Sequence, residues 1–185
     1  MEKILNEIKS ITEATSNAVI GIDGFCASGK TALADSIAKE TGAQVIHMDD
    51  FFLPVDMRTE TRFSQPGGNI HYERFIQEVV QGIKNGKAFD YKVFNCKVCD
   101  YTETKTVYPD KPIIIEGAYA FHPSIPNIYD LKIFIKTEYN TQLKRILERN
   151  GADSLEIFKS KWIPLETQYF STFSIEKYCD IVVET

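Results

Sequence analysis

Eight consecutive residues restrict what this chain can fold into more than any other feature: Gly24-Phe-Cys-Ala-Ser-Gly29-Lys30-Thr31. They follow the apolar run Ala18–Ile22, which reads as a short buried strand, and precede a helix predicted through Lys39. Glycines at this spacing let the backbone curl so that successive N–H groups face inward, and the helix adds the positive end of its dipole. Such a loop cradles phosphate. All eight residues, Gly24, Phe25, Cys26, Ala27, Ser28, Gly29, Lys30 and Thr31, are therefore expected around the phosphates of a bound nucleotide. Lys30 has the reach for the β- and γ-phosphates, and the Thr31 hydroxyl suits Mg²⁺, which prefers oxygen ligands.

The rest of the chain repeats the strand-then-helix rhythm. Ile4, Leu5, Ile8 and Ile11 fall on one face of an opening helix. Gln44–Met48, Pro112–Glu116, Leu131–Ile135 and Asp180–Val183 read as further strands, with helices at Thr141–Arg149 and 153–161. Strands alternating with helices predict an α/β domain: a parallel sheet sandwiched by helices, of the P-loop NTPase type, with residues 1–185 as one domain. Residues 51–108 interrupt the rhythm as an insertion on the substrate side. Pro54, Pro66, Gly67 and Gly68 mark 51–70 as an extended loop. Tyr72–Ile83 has helical spacing, and 88–108 has the Tyr, Val, Phe and Thr content of a hairpin.

Composition narrows the partners. The 185 residues carry 21 Lys and Arg against 26 Asp and Glu, a net charge of −5. That balance gives no footprint for nucleic acid or an anionic membrane surface. The longest apolar runs are far too short to span a bilayer. Glu2, Glu7 and Glu13 make the first sixteen residues unlike a leader, so a cytoplasmic location is expected. Cys26, Cys96, Cys99 and Cys179 then read as reduced thiols. Cys96-Lys-Val-Cys99 has the spacing of half a zinc site, but no second pair stands at a suitable distance. A homo-oligomer is left open.

Several side chains could do chemistry beside a phosphate cradle. Asp49 and Asp50 end the second strand, at the sheet edge where α/β proteins bind ligands. Neighbouring strand residues point to opposite faces, so one of the two is expected to face the phosphates. Glu116 ends the strand before Gly117 and is placed for a magnesium ligand. Arg145 and Arg149 share a helical face and could clamp a transferring phosphoryl group. A solvated face with Lys144 and Glu148 is the alternative for that pair. Within the insertion, Asp50, Phe52, Arg62, His71, Tyr72 and Tyr91 are the candidate contacts to a small-molecule acceptor, together with Asp49. Arg58, Arg74, Phe51, Phe63 and Phe94 surround them in sequence, and Trp162 could flank an adenine or belong to the core.

Beyond these separate readings, the chain resembles the uridine kinase and phosphoribulokinase family of P-loop kinases. The resemblance covers about residues 17–183. It rests on Gly24–Thr31, Met48-Asp-Asp-Phe-Phe52, Ile113-Ile-Ile-Glu-Gly-Ala-Tyr119 and Leu143–Arg149, and it extends into Trp162–Glu166 and Tyr178–Val182, which look like a bacterial uridine kinase-like branch. It implies that Asp49 is the catalytic aspartate and that Thr31, Asp49 and Glu116 form the magnesium shell. Arg145 and Arg149 would open a short ATP lid over 145–156, and Tyr91 would meet the acceptor. The chain departs from the pattern where a histidine is expected, near Cys96, and at Ile146, where a lid arginine is expected. The combined expectation is an Mg-ATP-dependent kinase with Lys30, Asp49, Arg145 and Arg149 as its catalytic residues. Its acceptor would be a nucleoside such as uridine or cytidine, or else a non-nucleoside alcohol of the pantothenate or sugar kind. An ATP-binding regulatory switch is the alternative from another class.

Overall fold

Three central runs pair because each is apolar on both faces, and two more polar runs close the edges. In the computed structural model, which describes residues 2–185 with side chains from Ile4, they form one parallel sheet. Its strands are β1 (Val19–Gly24), β2 (Gln44–His47), β5 (Ile113–Glu116), β6 (Leu131–Lys136) and β7 (Ile181–Glu184), in the order β2-β5-β1-β6-β7. Alternate residues feed two cores. Ile20, Ile22, Ile114, Leu131, Ile133 and Ile135 meet Ile8 of the first helix and Leu33 and Ile37 of the helix Lys30–Thr41. Ile113, Ile115 and Phe134 on the other face meet Met48, Phe51, Phe75, Tyr169 and Phe170. This is the α/β sandwich the sequence predicts.

Register brings the functional ends together. Glu116 lies opposite Ile22 of β1 and opposite His47 of β2, so all three strands finish at one edge. The chain runs outward from β1 to β2, returns to β5, and continues on β1's other side with β6 and β7. The reversal at β1 leaves a crevice at the carboxyl edge, where such sheets bind ligands.

The insertion between β2 and β5 is more ordered than its loop-like sequence suggests. Residues 51–70 contain a tight turn at Val55–Met57 and one helical turn at Glu60–Phe63, capped by the Thr59 hydroxyl, which accepts from the Arg62 N–H at 3.1 Å. A helix over 72–85 follows, buried through Phe75, Val79 and Val80. The predicted hairpin is present as the antiparallel pair β3 (Phe89–Asn95) and β4 (Asp100–Val107). Cys96 and Cys99 sit at its tip as free, exposed thiols.

The last helix departs from expectation in length. The helix predicted over 153–161 runs on from 152 to 173. Pro164 falls in the first turn of the segment Ile163–Phe173, a position that tolerates a missing backbone N–H. A wider π-type turn at Phe158–Trp162 precedes it. Gly151, at φ 81°, makes the corner between this helix and Tyr139–Asn150, so the expected lid over 145–156 is little more than that corner. Among the described residues no helix is long and apolar enough to cross a membrane.

Candidate active site

The crevice is a cleft of about 640 Å³, floored by the loop Gly24–Thr31. Gly24 has φ 140°, and a Cβ there would run into the Ile135 backbone. Gly29, at φ 98°, has nothing within 4 Å of where a Cβ would stand. The helix that follows has neither a side-chain cap nor an acidic residue in its first turn, so its N-terminal N–H groups face open space. Lys30 folds over the loop and donates to the Gly24 and Phe25 carbonyls, both at 2.8 Å.

Side chains from distant segments hold this loop. The Cys26 N–H donates to Glu166 at 2.9 Å, while the Cys26 carbonyl accepts from Gln142 at 3.0 Å. The Ser28 carbonyl accepts from the Thr185 hydroxyl at 3.0 Å. Asp23, wholly buried behind the loop, accepts from the N–H groups of Gly24, Tyr119 and Phe121 and from the Tyr169 hydroxyl. Burial pushes its carboxyl up to about 6 and that of Glu166 up to about 7. Sequence reading missed Asp23, Gln142 and Glu166, since none belongs to a local motif.

At the magnesium position the Thr31 hydroxyl donates to Glu116 Oε1 at 3.1 Å, and His47 Nδ1 meets the same oxygen at 2.6 Å. The Glu116 hydrogen bond raises the His47 pKa. Thr31, Glu116 and Asp49 line one cleft and offer hydroxyl and carboxylate oxygens. That donor set fits Mg²⁺, which takes few protein ligands and shares phosphate oxygens.

The paired aspartates do face different ways, but not by strand alternation: β2 ends at His47, and both lie in a tight 3₁₀ turn over Met48–Phe51. Asp49 opens into the cleft, where dehydration by the walls raises its pKa, with Lys30 opposing and Glu116 adding to the shift. Asp50 turns the other way. It is buried, accepts from the Tyr91 hydroxyl and from Lys105, both at 3.2 Å, and its carbonyl accepts from Arg74. Arg145 and Arg149 both reach the cleft. Arg145 also donates to the Thr185 hydroxyl at 3.0 Å and the Ala27 carbonyl at 3.3 Å, and Arg149 donates to Asn150 at 2.7 Å.

Of the predicted acceptor contacts, Asp49 and Phe52 line the cleft; Asp50, Arg62, His71, Tyr72 and Tyr91 do not. All five N–H groups of Arg62 have partners: the Gly68 and Ile70 carbonyls, the Tyr72 hydroxyl and both oxygens of Glu73. Tyr72 lies under that guanidinium, 4.1 Å from its ring centre, and stacks on His122. Tyr91 is buried against Phe51 with its hydroxyl on Asp50. The His71 N–H donates to the Phe51 carbonyl, and burial lowers its ring pKa. The polar side-chain groups of Asp50, Arg62, Tyr72 and Tyr91 are engaged in building the insertion, whereas the buried His71 Nδ1 has no partner among the described residues. Arg58, Phe63 and Trp162, adjacent to the predicted set in sequence or left between two readings, do line the cleft, and so do Asn69, Tyr119 and Phe158.

A phosphate loop at the switch point of a parallel sheet, faced by Asp49 and flanked by arginines, defines the class: a P-loop phosphotransferase. A family model described as the phosphoribulokinase / uridine kinase family matches residues 19–154, and the chain belongs to that family. The uridine kinase of Escherichia coli K12 is 27% identical over 188 residues, covering 89% of this chain and 85% of that one. "Uridine kinase-like protein 4" of Arabidopsis thaliana is 27% identical, and this chain spans 38% of its length. A solved structure described as a possible uridine kinase from Bacillus stearothermophilus superposes with a TM-score of 0.68 at 20% identity, covering 98% of this chain and 99% of its own. That last likeness concerns the fold. Kinases of this family use ATP with magnesium.

Proposed function

We propose that the chain transfers the γ-phosphoryl group of ATP to a hydroxyl of a nucleoside such as uridine or cytidine. The observation that carries this reading is Asp49 opening into the same cleft as Lys30, Thr31 and Glu116. In the proposed mechanism the N–H groups of residues 24–31 hold the phosphates. Lys30 exchanges its two loop carbonyls for phosphate oxygens and neutralises charge on the group in transfer. Thr31, Glu116 and Asp49 would hold Mg²⁺, which supplies further neutralisation when bound. Asp49 orients the acceptor hydroxyl and takes its proton. Arg145 and Arg149 close on the phosphates from the helix Tyr139–Asn150. Phe52, Phe63 and Trp162 give the acceptor aromatic walls.

A second reading, a kinase of a non-nucleoside alcohol, is favoured by the engagement of Tyr91 in the core and by Cys96 lining the cleft near the position where the family's nucleoside kinases carry histidine. An ADP-release screen over nucleosides, vitamins and sugar phosphates separates the two. Stimulation by uridine or cytidine supports the first, and stimulation by another alcohol alone supports the second. ATP binding with no response to any acceptor overturns both in favour of a regulatory switch.

A further inference from the structure

Asn69 is 3% exposed and lines the cleft, and among the described residues neither its carbonyl oxygen nor its NH₂ group has a partner in hydrogen-bond geometry. The Tyr119 hydroxyl is the polar group beside it: contact with Asn69 offsets part of the rise that burial imposes on the Tyr119 pKa, so Tyr119 is a weak competitor for this side chain. Leaving a carboxamide buried and unpaired costs about 1–3 kcal/mol per group. Such a group is expected to find its partner in a ligand.

The backbone around Asn69 is fixed with unusual care for a loop rich in glycine and proline. Arg62 donates to the carbonyls on either side, those of Gly68 and Ile70, each at 2.9 Å. The Asn69 carbonyl accepts from the Leu53 N–H at 3.2 Å, and Phe52 pairs with Ile70 in a single bridge. Leu53 also accepts, through its own carbonyl, from Arg58 Nε at 2.9 Å. Asn69 and Arg58 are thereby set on either side of Leu53, on the wall shared with Asp49 and Phe52. The Arg62 clamp holds the main chain and leaves the Asn69 side chain free.

We infer that Asn69 is the residue that selects the acceptor, by pairing with a hydroxyl group carried beside the one that reacts. A carboxamide presents one acceptor and one donor face, and a hydroxyl both donates and accepts, so the two are complementary. The substrate class is a polyhydroxylated small molecule, whether a ribonucleoside or a sugar-like alcohol. An analogue with that hydroxyl replaced by hydrogen returns Asn69 to its unpaired state and is rejected. This inference rests on the kinase reading above.

The test compares kcat/KM for hydroxylated acceptors and their deoxy counterparts: uridine and cytidine with the 2′- and 3′-deoxy analogues, and ribose with 2-deoxyribose. The native chain is expected to favour one hydroxylated partner by about 100-fold. In Asn69→Leu the ratio falls to within about 5-fold through loss on the hydroxylated acceptor, with the KM for ATP unchanged. Asn69→Asp, which keeps the size and an acceptor oxygen but loses the NH₂ donor, gives an intermediate ratio and carries the test if the leucine variant fails to fold. Equal turnover of both partners by the native chain, or a native ratio in the folded variants, overturns the role of Asn69 while the kinase reading stands. Neither turnover nor calorimetric binding of any acceptor overturns both.

Discussion

The phosphate side of the cleft is built from eight consecutive residues, and its binding groups are mostly backbone N–H. The acceptor side is assembled from side chains spread between Asp49 and Trp162, on a bridge, two turns and two helices. The first kind of site needs only a loop of the right glycine spacing in front of a helix, so its chemistry is local. The second depends on which polar groups the surrounding fold leaves unpaired. Arg62 and Asn69 show the difference: one has every donor engaged, the other has none, and both come from the same short loop.

Removing Lys30 tests the local half most severely. Lys30→Ala is expected to lower kcat by at least about 10³-fold, because it removes the ammonium that folds over the loop; near-native ADP release would break the assignment of the loop as the phosphate site. Next comes Asp49→Asn, expected to reduce kcat by about 10²–10⁴-fold with the KM for ATP little changed. The same change at Asp50 is expected to act mainly on stability, because Asp50 faces Tyr91 and Lys105. Equal kinetic losses at both positions would undo the division between the two aspartates.

Arg62→Ala tests the assembled half. It removes a five-bonded clamp and is expected to cost about 2–4 kcal/mol in urea unfolding and to raise the acceptor KM, leaving that for ATP alone. A loss of acceptor binding with no loss of stability would instead make Arg62 a direct contact.

Glu166 joins the halves, since it lines the cleft and holds the Cys26 N–H. Its carboxyl rises from the usual 4.5 to about 7 on folding, so between those values the folded chain keeps a proton that the unfolded chain has released. Its contribution is complete below about pH 4.5 and is lost as pH rises through 7. Asp23, raised to about 6, acts with the same sign. Stability is therefore expected to fall between pH 5 and pH 8 by about 1–3 kcal/mol from Glu166. Glu166→Gln, which keeps an acceptor for Cys26, should flatten that decline; an unchanged slope in urea titrations at the two pH values would show that Glu166 is not its source. The smallest effect belongs to Tyr91→Phe, about 1 kcal/mol of stability from one lost hydrogen bond to Asp50, with no change in turnover.

Legibility followed the same division. The three central strands were readable because each is apolar on both faces, and the loop because its function is written in glycine, lysine and threonine at fixed spacing. That Asp49 and Asp50 face different ways was expected from strand alternation, but a 3₁₀ turn produces it. The acceptor contacts were not legible, because Tyr72, Tyr91 and Arg62 have the residue types of a binding site while their side chains are engaged by groups that folding brings to them. The helix 152–173 was predicted only over 153–161; its continuation through Pro164 follows a wider turn at Phe158–Trp162 that no local pattern announces.

By itself, the sequence determined the class of fold, the phosphate cradle and the identity of the groups around it, because these depend on short-range spacing and backbone geometry. Only the tertiary structure decided which polar side chains are engaged and which remain free to meet a ligand. Hydrogen-bond satisfaction is a property of neighbours brought together by folding: Glu166 reaches Cys26 across 140 positions, and Asn69 is left without a partner.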